Sequence, residues 1–519
     1  MVHFGFSYVG LIYIAMLLIP NFIWAKNKPK DYDRYVGNEN KFLGILERIG
    51  EAGNMVLVLI FSDFNIRPFT VWSVWLIASF ILMVLYELYW VRYFRSPKTM
   101  ADMYSSFAGF PVAGASLPCI AFFCLGLYGS NIFLIVSTLI LSAGHIGIHI
   151  MHRNEVVPKK KKNRALTVLK VLILIPVTAF LAVTIAVIAV RNVSWFRNYI
   201  DTSKGINEAV YVPIGGQEQY LLIRGRDINN PVILYIHGGP AGPDSPIANV
   251  YTDPLIDDYT FVCWDQRGCG RTYFRNAGED PDNKTVDFET ALSDTDELVD
   301  YILNRFGKDK VILMCHSYGT VVGTEYIREH KDKVSAYIGI GQFVNAKESD
   351  TLSYEDAIRA ASANGEDTSP IEEARTQYLN GSTLTDYMAL RRATAKYHPA
   401  KNTADTTMLA VFSPYAGTDD IRWVIKQMDL KNFYLLEKNL MDTVFAYDIY
   451  EHGLTYDVPV LFISGDCDYV YNFALVEKYC DDITAPRKEY VAIEGGGHTP
   501  HYETPELFAG YVKEFLAGV

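Results

Sequence analysis

Long apolar runs in the first two hundred residues constrain the fold of this chain more than any other feature. Five runs have about the 20 residues that a helix needs to cross a membrane; they lie at about 4–24, 69–91, 108–128, 130–151 and 166–190. A sixth run, at about 50–66, is shorter and contains Glu51 and Asp63. We therefore predict an all-α membrane domain over residues 1–195, followed by a linker at 196–207.

The loops between these runs carry their positive charge unevenly. Lysine and arginine concentrate in the loops at 25–50, 92–101 and 152–164, whereas 64–68 and 128–130 hold almost none. Short basic loops mark the cytoplasmic side of a membrane protein. Six spans place all three basic loops on one side, and five do not. We therefore expect six transmembrane helices in a multi-pass protein of the cell membrane, with the N-terminus and the rest of the chain outside the cytoplasm.

Net charge divides the chain at about the same place. Residues 1–200 carry a net charge of +10 and residues 201–519 a net charge of −22. An acidic soluble part lacks the basic footprint of a nucleic-acid-binding protein, so no nucleic-acid partner is expected. The seven cysteines show no zinc-binding spacing, and we predict neither a metal nor a cofactor.

Short apolar runs rich in Val, Ile and Tyr replace the long ones from about residue 205. Eight of them are predicted strands, at 208–213, 219–223, 232–237, 260–265, 311–316, 335–341, 458–464 and 489–493. Amphipathic stretches such as 288–307 alternate with them, which predicts a mostly parallel α/β sheet over residues 208–519. The alternation breaks at about 343–456, which we interpret as a helical cap inserted between two strands.

A serine follows the fifth predicted strand. The segment "MCHSYGT" places Ser317 between that strand and a helix-like stretch, the position of a nucleophile elbow, whose usual spelling is G-x-S-x-G. Gly319 supplies the second glycine, and Cys315, a small residue, stands at the first. Ser317 is the predicted nucleophile.

A histidine and two aspartates follow the last two strands in the order that a serine hydrolase requires. His498 lies in "GGGHTPH" after the final strand and is the predicted base, with His501 as the competing candidate. "GDCDYV" ends the preceding strand, and Asp468 is preferred over Asp466 as the acid because it lies further into the loop.

The loop after the third strand offers backbone donors for an oxyanion. His237, Gly238, Gly239 and Pro240 follow that strand directly, and a glycine can present its N–H without a side chain in the way. We predict an oxyanion hole formed by the N–H groups of Gly239 and Tyr318. A phosphate-binding loop is excluded, because no Gly-Lys-Ser/Thr follows.

These segments resemble one branch of a known family. "HGGPAGPDS" followed by "FVCWDQRGCGRT" is similar to the paired H-G-G-P and D-Q-R-G-x-G-x-S stretches of the prolyl aminopeptidases (proline iminopeptidases), which are α/β hydrolases. The resemblance covers about residues 208–519. It implies an α/β-hydrolase fold, the triad Ser317, Asp468 and His498, and a bracing role for the second stretch. The residues that match that stretch are Asp265, Gln266, Arg267, Gly268 and Gly270.

The elbow departs from this family, because the peptidases spell it G-G-S-W-G. In the peptidases, carboxylates of the cap bind the free amine of the substrate. Four cap carboxylates are available for that role here, with Glu348 and Asp350 as the named candidates; the others are Glu355 and Glu372.

The leading interpretation is a membrane-anchored serine hydrolase that cleaves short peptides at the N-terminus. An esterase or lipase acting on lipid or small-molecule esters is the alternative within this class. A non-catalytic ectodomain that binds a ligand while the helices signal or transport is the alternative of another class. The expected partners are the lipid bilayer and a small-molecule or short-peptide substrate.

None of these interpretations assigns a role to three histidines in the membrane domain. His145, His149 and His152 share one face of the helix predicted at 130–151. They are either an ion or proton site or, as we prefer, residues at the membrane interface that contact neighbouring helix ends.

Overall fold

The computed structural model describes residues 2–35, 40–157, 164–381 and 384–519. The chain forms two compact units, Met1–Arg197 and Asn198–Val519, called here the helical unit and the sheet unit.

The helical unit contains six long helices and one short one in its described residues. They are α1 (Tyr8–Ala25), α2 (Lys41–Ile60), α3 (Val74–Phe94), the short α4 (Met100–Met103), α5 (Ala113–Tyr128), α6 (Ile132–Val156) and α7 (Arg164–Arg197). Glycines let α2 and α6 approach closely. A Cβ on Gly50 would lie 2.4 Å from the backbone nitrogen of Leu141, and one on Gly144 would lie 2.4 Å from that of Glu47. Small residues at such crossings are the usual basis of helix packing in membranes.

Four helical segments in the described residues are long and apolar enough to cross a membrane. They are Tyr8–Ala25, Val71–Phe94, Ile132–Val156 and Leu174–Arg197. The apolar helix Ala113–Tyr128 is shorter. The span predicted at 50–66 is displaced, because α2 begins at Lys41, inside the predicted loop. A hydropathy window misses such a helix, since charged residues share its surface with apolar ones. Residues 36–39 and 158–163 of two basic loops lie outside the described residues.

The eight predicted strands form one sheet. They are β1 (Ile206–Ile214), β2 (Gln217–Gly225), β3 (Val232–Ile236), β4 (Thr260–Asp265), β5 (Val311–His316), β6 (Val334–Ile340), β7 (Val460–Gly465) and β8 (Lys488–Ile493). Their order is β1-β2-β4-β3-β5-β6-β7-β8. β1 pairs antiparallel with β2, and β2 with β4, while all other pairs are parallel. The prediction of a mostly parallel sheet is confirmed.

Helices cover the sheet and form the cap. Those outside the cap are α8 (Ala248–Thr252), α9 (Gly270–Asn276), α10 (Phe288–Phe306), α11 (Tyr318–Glu329), α19 (Phe473–Asp482), α20 (Pro500–Glu503) and α21 (Pro505–Leu516). Those between β6 and β7 are α12 (Ala346–Ala363), α13 (Ser369–Asn380), α14 (Leu384–Ala395), α15 (Thr406–Phe412), α16 (Thr418–Met428), α17 (Leu430–Leu436) and α18 (Lys438–Ala446). Every residue of β3, β4, β5 and β7 is buried, as parallel strands covered on both faces require. The carboxyl ends of β3, β5, β7 and β8 therefore meet at one edge under the cap.

Candidate active site

The serine predicted as the nucleophile lies in a strained turn between β5 and α11. Ser317 has φ 52° and ψ −122°, a conformation that a residue other than glycine keeps only where its surroundings impose it. Its N–H donates to the carbonyl oxygen of Ile340 at 2.9 Å, and its carbonyl accepts the N–H of Thr320 at 2.8 Å. The turn places Ser317 at the carboxyl edge of the parallel strands, where sites of such sheets lie.

Two glycines allow the elbow to touch the loop after β3. A Cβ on Gly319 would lie 2.3 Å from the carbonyl oxygen of Ile236, and one on Gly238 would lie 2.7 Å from the Cβ of Ser317. The obstructing atoms belong to the backbone or sit directly on it, so they have no room to move aside. These two positions therefore require glycine.

We expect Gly319→Ala to lower the unfolding temperature and the activity of the protein. The new methyl group would push α11 away from β3, and overpacking of this kind costs about 1–3 kcal/mol. Gly278→Ala is the matched control, because no neighbour lies within 4 Å of a Cβ there. Thermal unfolding of the full-length protein in detergent is the measurement, and equal unfolding temperatures for the two variants would contradict the expectation.

The cysteine that replaces the first glycine of the motif is accommodated by a glycine on the helix. Cys315 is fully buried, and a Cβ on Gly323 would lie 2.4 Å from its Sγ. The absence of a side chain at Gly323 therefore provides the space that the side chain of Cys315 fills. Burial raises the pKa of the Cys315 thiol, which keeps it protonated and unreactive.

Ser317, His498 and Asp468 form one hydrogen-bonded chain. His498 Nε2 lies 3.0 Å from Ser317 Oγ, and His498 Nδ1 lies 2.8 Å from Asp468 Oδ2. The other oxygen of Asp468 accepts the N–H groups of Val470 at 2.7 Å and Tyr471 at 3.1 Å. Asp468 is 1% exposed, so its carboxylate faces the imidazole and backbone donors rather than water.

The two competing candidates lie elsewhere. Asp466 Oδ1 accepts the N–H of Gly495 at 2.7 Å, which ties the loops after β7 and β8 together. His501 is fully buried, and its Nε2 lies 3.1 Å from the hydroxyl of Tyr235. Both side chains are therefore committed to partners other than Ser317.

Two further residues contact His498 and were not singled out by sequence reasoning. His316 Nε2 lies 3.1 Å from the carbonyl oxygen of His498. Burial lowers the pKa of His316, so the ring is neutral and its Nε2–H donates to that carbonyl. The ring of Tyr471 meets His498 edge-on at 5.3 Å. Both contacts hold the backbone and ring of His498, and no motif in one sequence signals them.

The loop predicted to hold an oxyanion has an unusual backbone. Gly239 has φ 120°, Ala241 has φ 61°, and the Gly239–Pro240 peptide is cis. The N–H of Gly242 donates to the carbonyl of Gly238 at 3.0 Å, which closes the turn. Tyr318 is the first residue of α11, so its N–H has no partner within the helix.

The second matching stretch braces this loop. Gln266 Nε2 donates to the carbonyl of His237 at 3.0 Å, and the Gln266 N–H donates to His237 Nε2 at 3.3 Å. Burial lowers the pKa of His237 to about 4, so the imidazole is neutral and its Nδ1–H donates to the carbonyl of Gly238 at 2.9 Å. The His237 ring therefore fixes the loop from within, and the Gln266 side chain fixes it from the neighbouring strand end.

Charged residues extend the brace. Arg267 makes two bonds to Asp294, Nε to Oδ2 at 2.7 Å and one terminal nitrogen to Oδ1 at 2.8 Å. The carbonyl of Gly268 accepts Asn283 Nδ2 at 2.8 Å. Asp265 accepts the hydroxyl of Ser245 at 2.5 Å and the N–H of Arg271 at 3.0 Å, and burial raises its pKa to about 6. The ion pair of Arg267 with Asp294 and the hydrogen bonds of Asp265 together hold the stretch after β4 in this conformation.

The two named cap carboxylates differ in environment. Glu348 is exposed, in the first turn of α12. Asp350 is 2% exposed and pairs with Arg391 at 3.3 Å. The charge of Asp350 is therefore already balanced by a cation of the protein.

A different cap carboxylate, Glu437, is linked through Asn283 to the stretch after β4. It stands between α17 and α18 and is 1% exposed. Its Oε1 accepts Asn283 Nδ2 at 2.7 Å, whereas its Oε2 has no partner among the described residues. Burial raises the pKa of Glu437 to about 8. Burial, and then the charge of Glu437, raise the pKa of the Tyr318 phenol. No sequence signal pointed to Glu437, because an isolated Glu in a helical stretch reads as a surface residue.

We expect the stability contributed by Glu437 to fall as pH rises from about 5 to 8. Its pKa is about 8 in the folded protein against an ordinary value of 4.5, so between these values the folded state binds the extra proton and rising pH favours unfolding. Glu437→Gln removes this loss. The unfolding temperature of the variant relative to that of the unaltered protein should therefore be higher at pH 8 than at pH 5. A constant difference between the two proteins would contradict this account.

One further group of residues has metal-ligand chemistry. Ligand-type atoms of Asp244, His316 and His501 lie within 4.8 Å of one another. The hydroxyl of Tyr235 contacts Asp244 Oδ2 at 2.6 Å and His501 Nε2 at 3.1 Å. Tyr235 therefore links Asp244 and His501, and His316 Nε2 contacts the carbonyl oxygen of His498.

The sequence profile of the alpha/beta hydrolase fold matches residues 231–505, the range that holds the elbow, the acid and the histidine. The chain belongs to the α/β-hydrolase family. It is 27% identical over 316 residues to the probable aminopeptidase YbaC of Bacillus subtilis, covering 60% of this chain and 96% of that protein. It is 25% identical over 338 residues to a proline iminopeptidase of Saccharolobus solfataricus, covering 61% of this chain and 96% of that protein.

Among solved structures, this hydrolase is similar to a proline iminopeptidase-related protein from Thermus thermophilus. The two share 21% identity with a TM-score of 0.42, over 60% of this chain and 98% of the other. The expected resemblance to the proline iminopeptidase branch, the α/β-hydrolase fold and the assignment as a hydrolase are confirmed by the family match and the two curated relatives. The family match concerns the sheet unit, which leaves the helical unit to be interpreted from its own residues.

Proposed function

We propose that this hydrolase is a membrane-anchored serine aminopeptidase that removes the N-terminal residue of short peptides. Ser317 is the nucleophile, His498 the general base, Asp468 the residue that orients the imidazole, and the N–H groups of Gly239 and Tyr318 bind the oxyanion. The observation that carries the proposal is the Ser317–His498–Asp468 chain, with distances of 3.0 and 2.8 Å, directly beside a loop built around glycines.

The reaction follows from these contacts. His498 Nε2 accepts the hydroxyl proton as Ser317 Oγ attacks the carbonyl carbon, and Asp468 stabilises the imidazolium through Nδ1–H. The oxyanion accepts two backbone N–H groups. The imidazolium then protonates the leaving amine, and an acyl-enzyme remains on Ser317. A water molecule, deprotonated by His498, releases the free amino acid and restores the serine.

Glu437 is the proposed partner of the free amine of the substrate. Its Oε2 is buried and has no partner among the described residues, and a neutral carboxyl in such a place gains from a cation. An ammonium group placed there lowers the pKa of the carboxyl and forms an ion pair in a site of low polarity, where such pairs are strong. The names of the two curated relatives, a probable aminopeptidase and a proline iminopeptidase, support the same substrate class.

An esterase is the second candidate, supported by the apolar surroundings of the same region. A buried cluster joins the oxyanion loop to the cap; it consists of Ala241, Cys269, Tyr273, Trp423, Phe433 and Met441. Apolar surroundings of this kind suit an apolar acyl group as well as a proline ring. Substrate preference therefore separates the two candidates.

We expect Glu437→Gln to lower kcat/KM for a prolyl fluorogenic amide by about 10- to 100-fold, because it removes a charge-assisted bond worth about 1.5–3 kcal/mol. Hydrolysis of an uncharged acyl ester should change by less than about twofold, since no ammonium group is involved. Glu348→Gln, in the exposed carboxylate of α12, is the matched control. Cleavage of esters alone by the unaltered protein would move it to the esterase branch.

We further propose that the helical unit anchors the protein in a membrane and that the sheet unit lies outside the cytoplasm. Four helical segments of the helical unit are long and apolar enough to span a membrane, and the basic loops favour a sheet unit outside the cytoplasm. Protease protection of the sheet unit in spheroplasts and in inside-out vesicles tests this orientation. Digestion in inside-out vesicles alone would reverse it.

A further inference from the structure

A cavity of about 290 Å³ lies inside the helical unit. Residues of α1, α2, α3, α5 and α6 line it. Its volume corresponds to about ten water molecules, which is the space that a small organic molecule of about ten heavy atoms fills. Cavities between the helices of a bundle are common ligand sites.

The charged residues along this cavity are acidic. Glu47 and Glu51 line it, and the described lining residues include neither lysine nor arginine. His145 Nδ1 contacts Glu47 Oε1. Glu51 is exposed, so the cavity opens beside it. Ionisable residues within a membrane bundle mark a functional site by default, and two carboxylates favour a cation.

A buried amide supplies an independent observation. Asn54 is 3% exposed and lines the same cavity. Its Oδ1 accepts the hydroxyl of Thr138 at 3.3 Å, whereas its Nδ2 has no partner within the described ranges. An unsatisfied buried N–H group costs about 1–3 kcal/mol, which an acceptor oxygen of a ligand would recover.

The spacing of these groups on α2 defines the ligand further. Glu47, Glu51 and Asn54 are separated by four and three residues, so they share one helix face. Glu51 and Asn54 are about 4.5 Å apart along the axis at about 1.5 Å per residue. The two side chains therefore lie within about one helix turn of each other, close enough to contact one small ligand.

Aromatic rings form much of the remaining wall. Trp90 and Tyr86 line the cavity together with Trp24 and Tyr32. The ammonium of Lys28 lies 5.1 Å from the Tyr32 ring centroid and 5.9 Å from that of Trp24, so these two rings already face a cation of the protein. The rings of Trp90 and Tyr86 provide the surface that an apolar side chain or an ammonium group would contact.

We propose that the helical unit binds a free amino acid or a zwitterion of similar size, with its ammonium group at Glu51 and Glu47 and its carboxylate at Asn54. This site is separate from Ser317 and does not depend on the reaction proposed there. It would give the helices a role beyond anchoring, as a sensor or carrier of amino acids.

Of the three histidines on α6, two line the cavity and one does not. His145 and His149 line the cavity, with ring centroids 4.4 Å apart. His152 bonds Glu155 at 3.1 Å and stacks on Tyr104 at 5.3 Å. His145 and His149 therefore line the proposed site, whereas His152 is not among the residues that line it.

The test is calorimetric titration of the full-length Ser317→Ala protein in lipid nanodiscs, so that no turnover occurs. The probes are glycine, L-proline and L-phenylalanine, each with its decarboxylated amine and its N-acetyl derivative. We expect at least one amino acid to bind, its amine to bind more weakly, and its N-acetyl derivative not to bind. Binding of none of the three amino acids, or equal binding of an N-acetyl derivative, would overturn the proposal.

Variants then locate the site. Glu51→Gln should weaken binding of the amino acid by about tenfold or more, the loss of one charge-assisted bond. Asn54→Leu should weaken binding of the amino acid and leave that of the amine unchanged. Glu155→Gln, outside the cavity, is the matched control, and Glu47→Gln replaces Glu51→Gln if that variant is not monodisperse. Equal affinities for the Glu51 and Glu155 variants would overturn the assignment.

Discussion

Ser317→Ala should abolish turnover of every substrate that the protein cleaves, with kcat falling by about 10⁴- to 10⁶-fold. The hydroxyl of Ser317 contacts His498, the proposed base, at 3.0 Å in a turn that holds it there. Without that oxygen no acyl-enzyme forms, and the oxyanion donors alone accelerate only a direct attack by water. The measurement is hydrolysis of a prolyl fluorogenic amide and of a series of acyl esters by the full-length protein in detergent.

Ser335→Ala is the control for this variant. Ser335 lies near the amino end of β6, away from the carboxyl edge, and its hydroxyl contacts the carbonyl of Val311 at 3.2 Å. Its variant should keep the activity of the unaltered protein. Residual activity of Ser317→Ala above about one tenth of normal would remove the nucleophile from the proposal and require a water-based mechanism.

Asp468→Asn should lower kcat by about 10⁴-fold while leaving the fold intact. The carboxylate accepts His498 Nδ1–H, which keeps Nε2 free to accept the serine proton. An amide in its place donates to Nδ1 and thus favours the tautomer whose Nε2 carries a proton, so the base is lost. KM for the prolyl amide should change little, because Asp468 contacts backbone N–H groups and His498 rather than the space for substrate.

Asp466→Asn is the control that removes a carboxylate from the same loop without removing the contact to His498. Asp466 lies two residues away, and its carboxylate contacts the N–H of Gly495 instead of the imidazole. This variant should keep most of the activity of the unaltered protein. If the Asp466 and Asp468 variants lose activity equally, the loop rather than the acid–histidine contact controls the rate.

The candidate site was predictable from the sequence where it depends on strand ends. Serine, aspartate and histidine each follow an apolar run, and parallel strands bring their carboxyl ends to one edge. The elbow was predictable despite Cys315, because a small residue suffices there. The way in which the Cys315 side chain is accommodated was not predictable. Gly323 lies eight residues further along the chain, and it contacts the thiol only because β5 packs on α11.

The cap and the helical unit were less predictable for a common reason. Glu437 and Asp350 are both buried but have different partners, Asn283 and Arg391, and these contacts follow from how the cap helices pack rather than from local residue type. Likewise, α2 begins at Lys41 because Asn40 caps it, with Oδ1 accepting the N–H groups of Phe42 and Leu43. The packing of α2 beside α6 and the cavity, which the sequence does not reveal, gives its polar residues their surroundings.

The sequence by itself determined the eight strands, the mostly parallel sheet and the order of serine, aspartate and histidine, because hydrophobic period and strand ends are local properties of the chain. Only the tertiary structure decided how the cap carboxylates are buried and paired, how a cysteine fits in the motif, and that Glu47, Glu51 and Asn54 line one cavity. These features depend on distances between residues far apart in sequence, which packing sets and composition does not record.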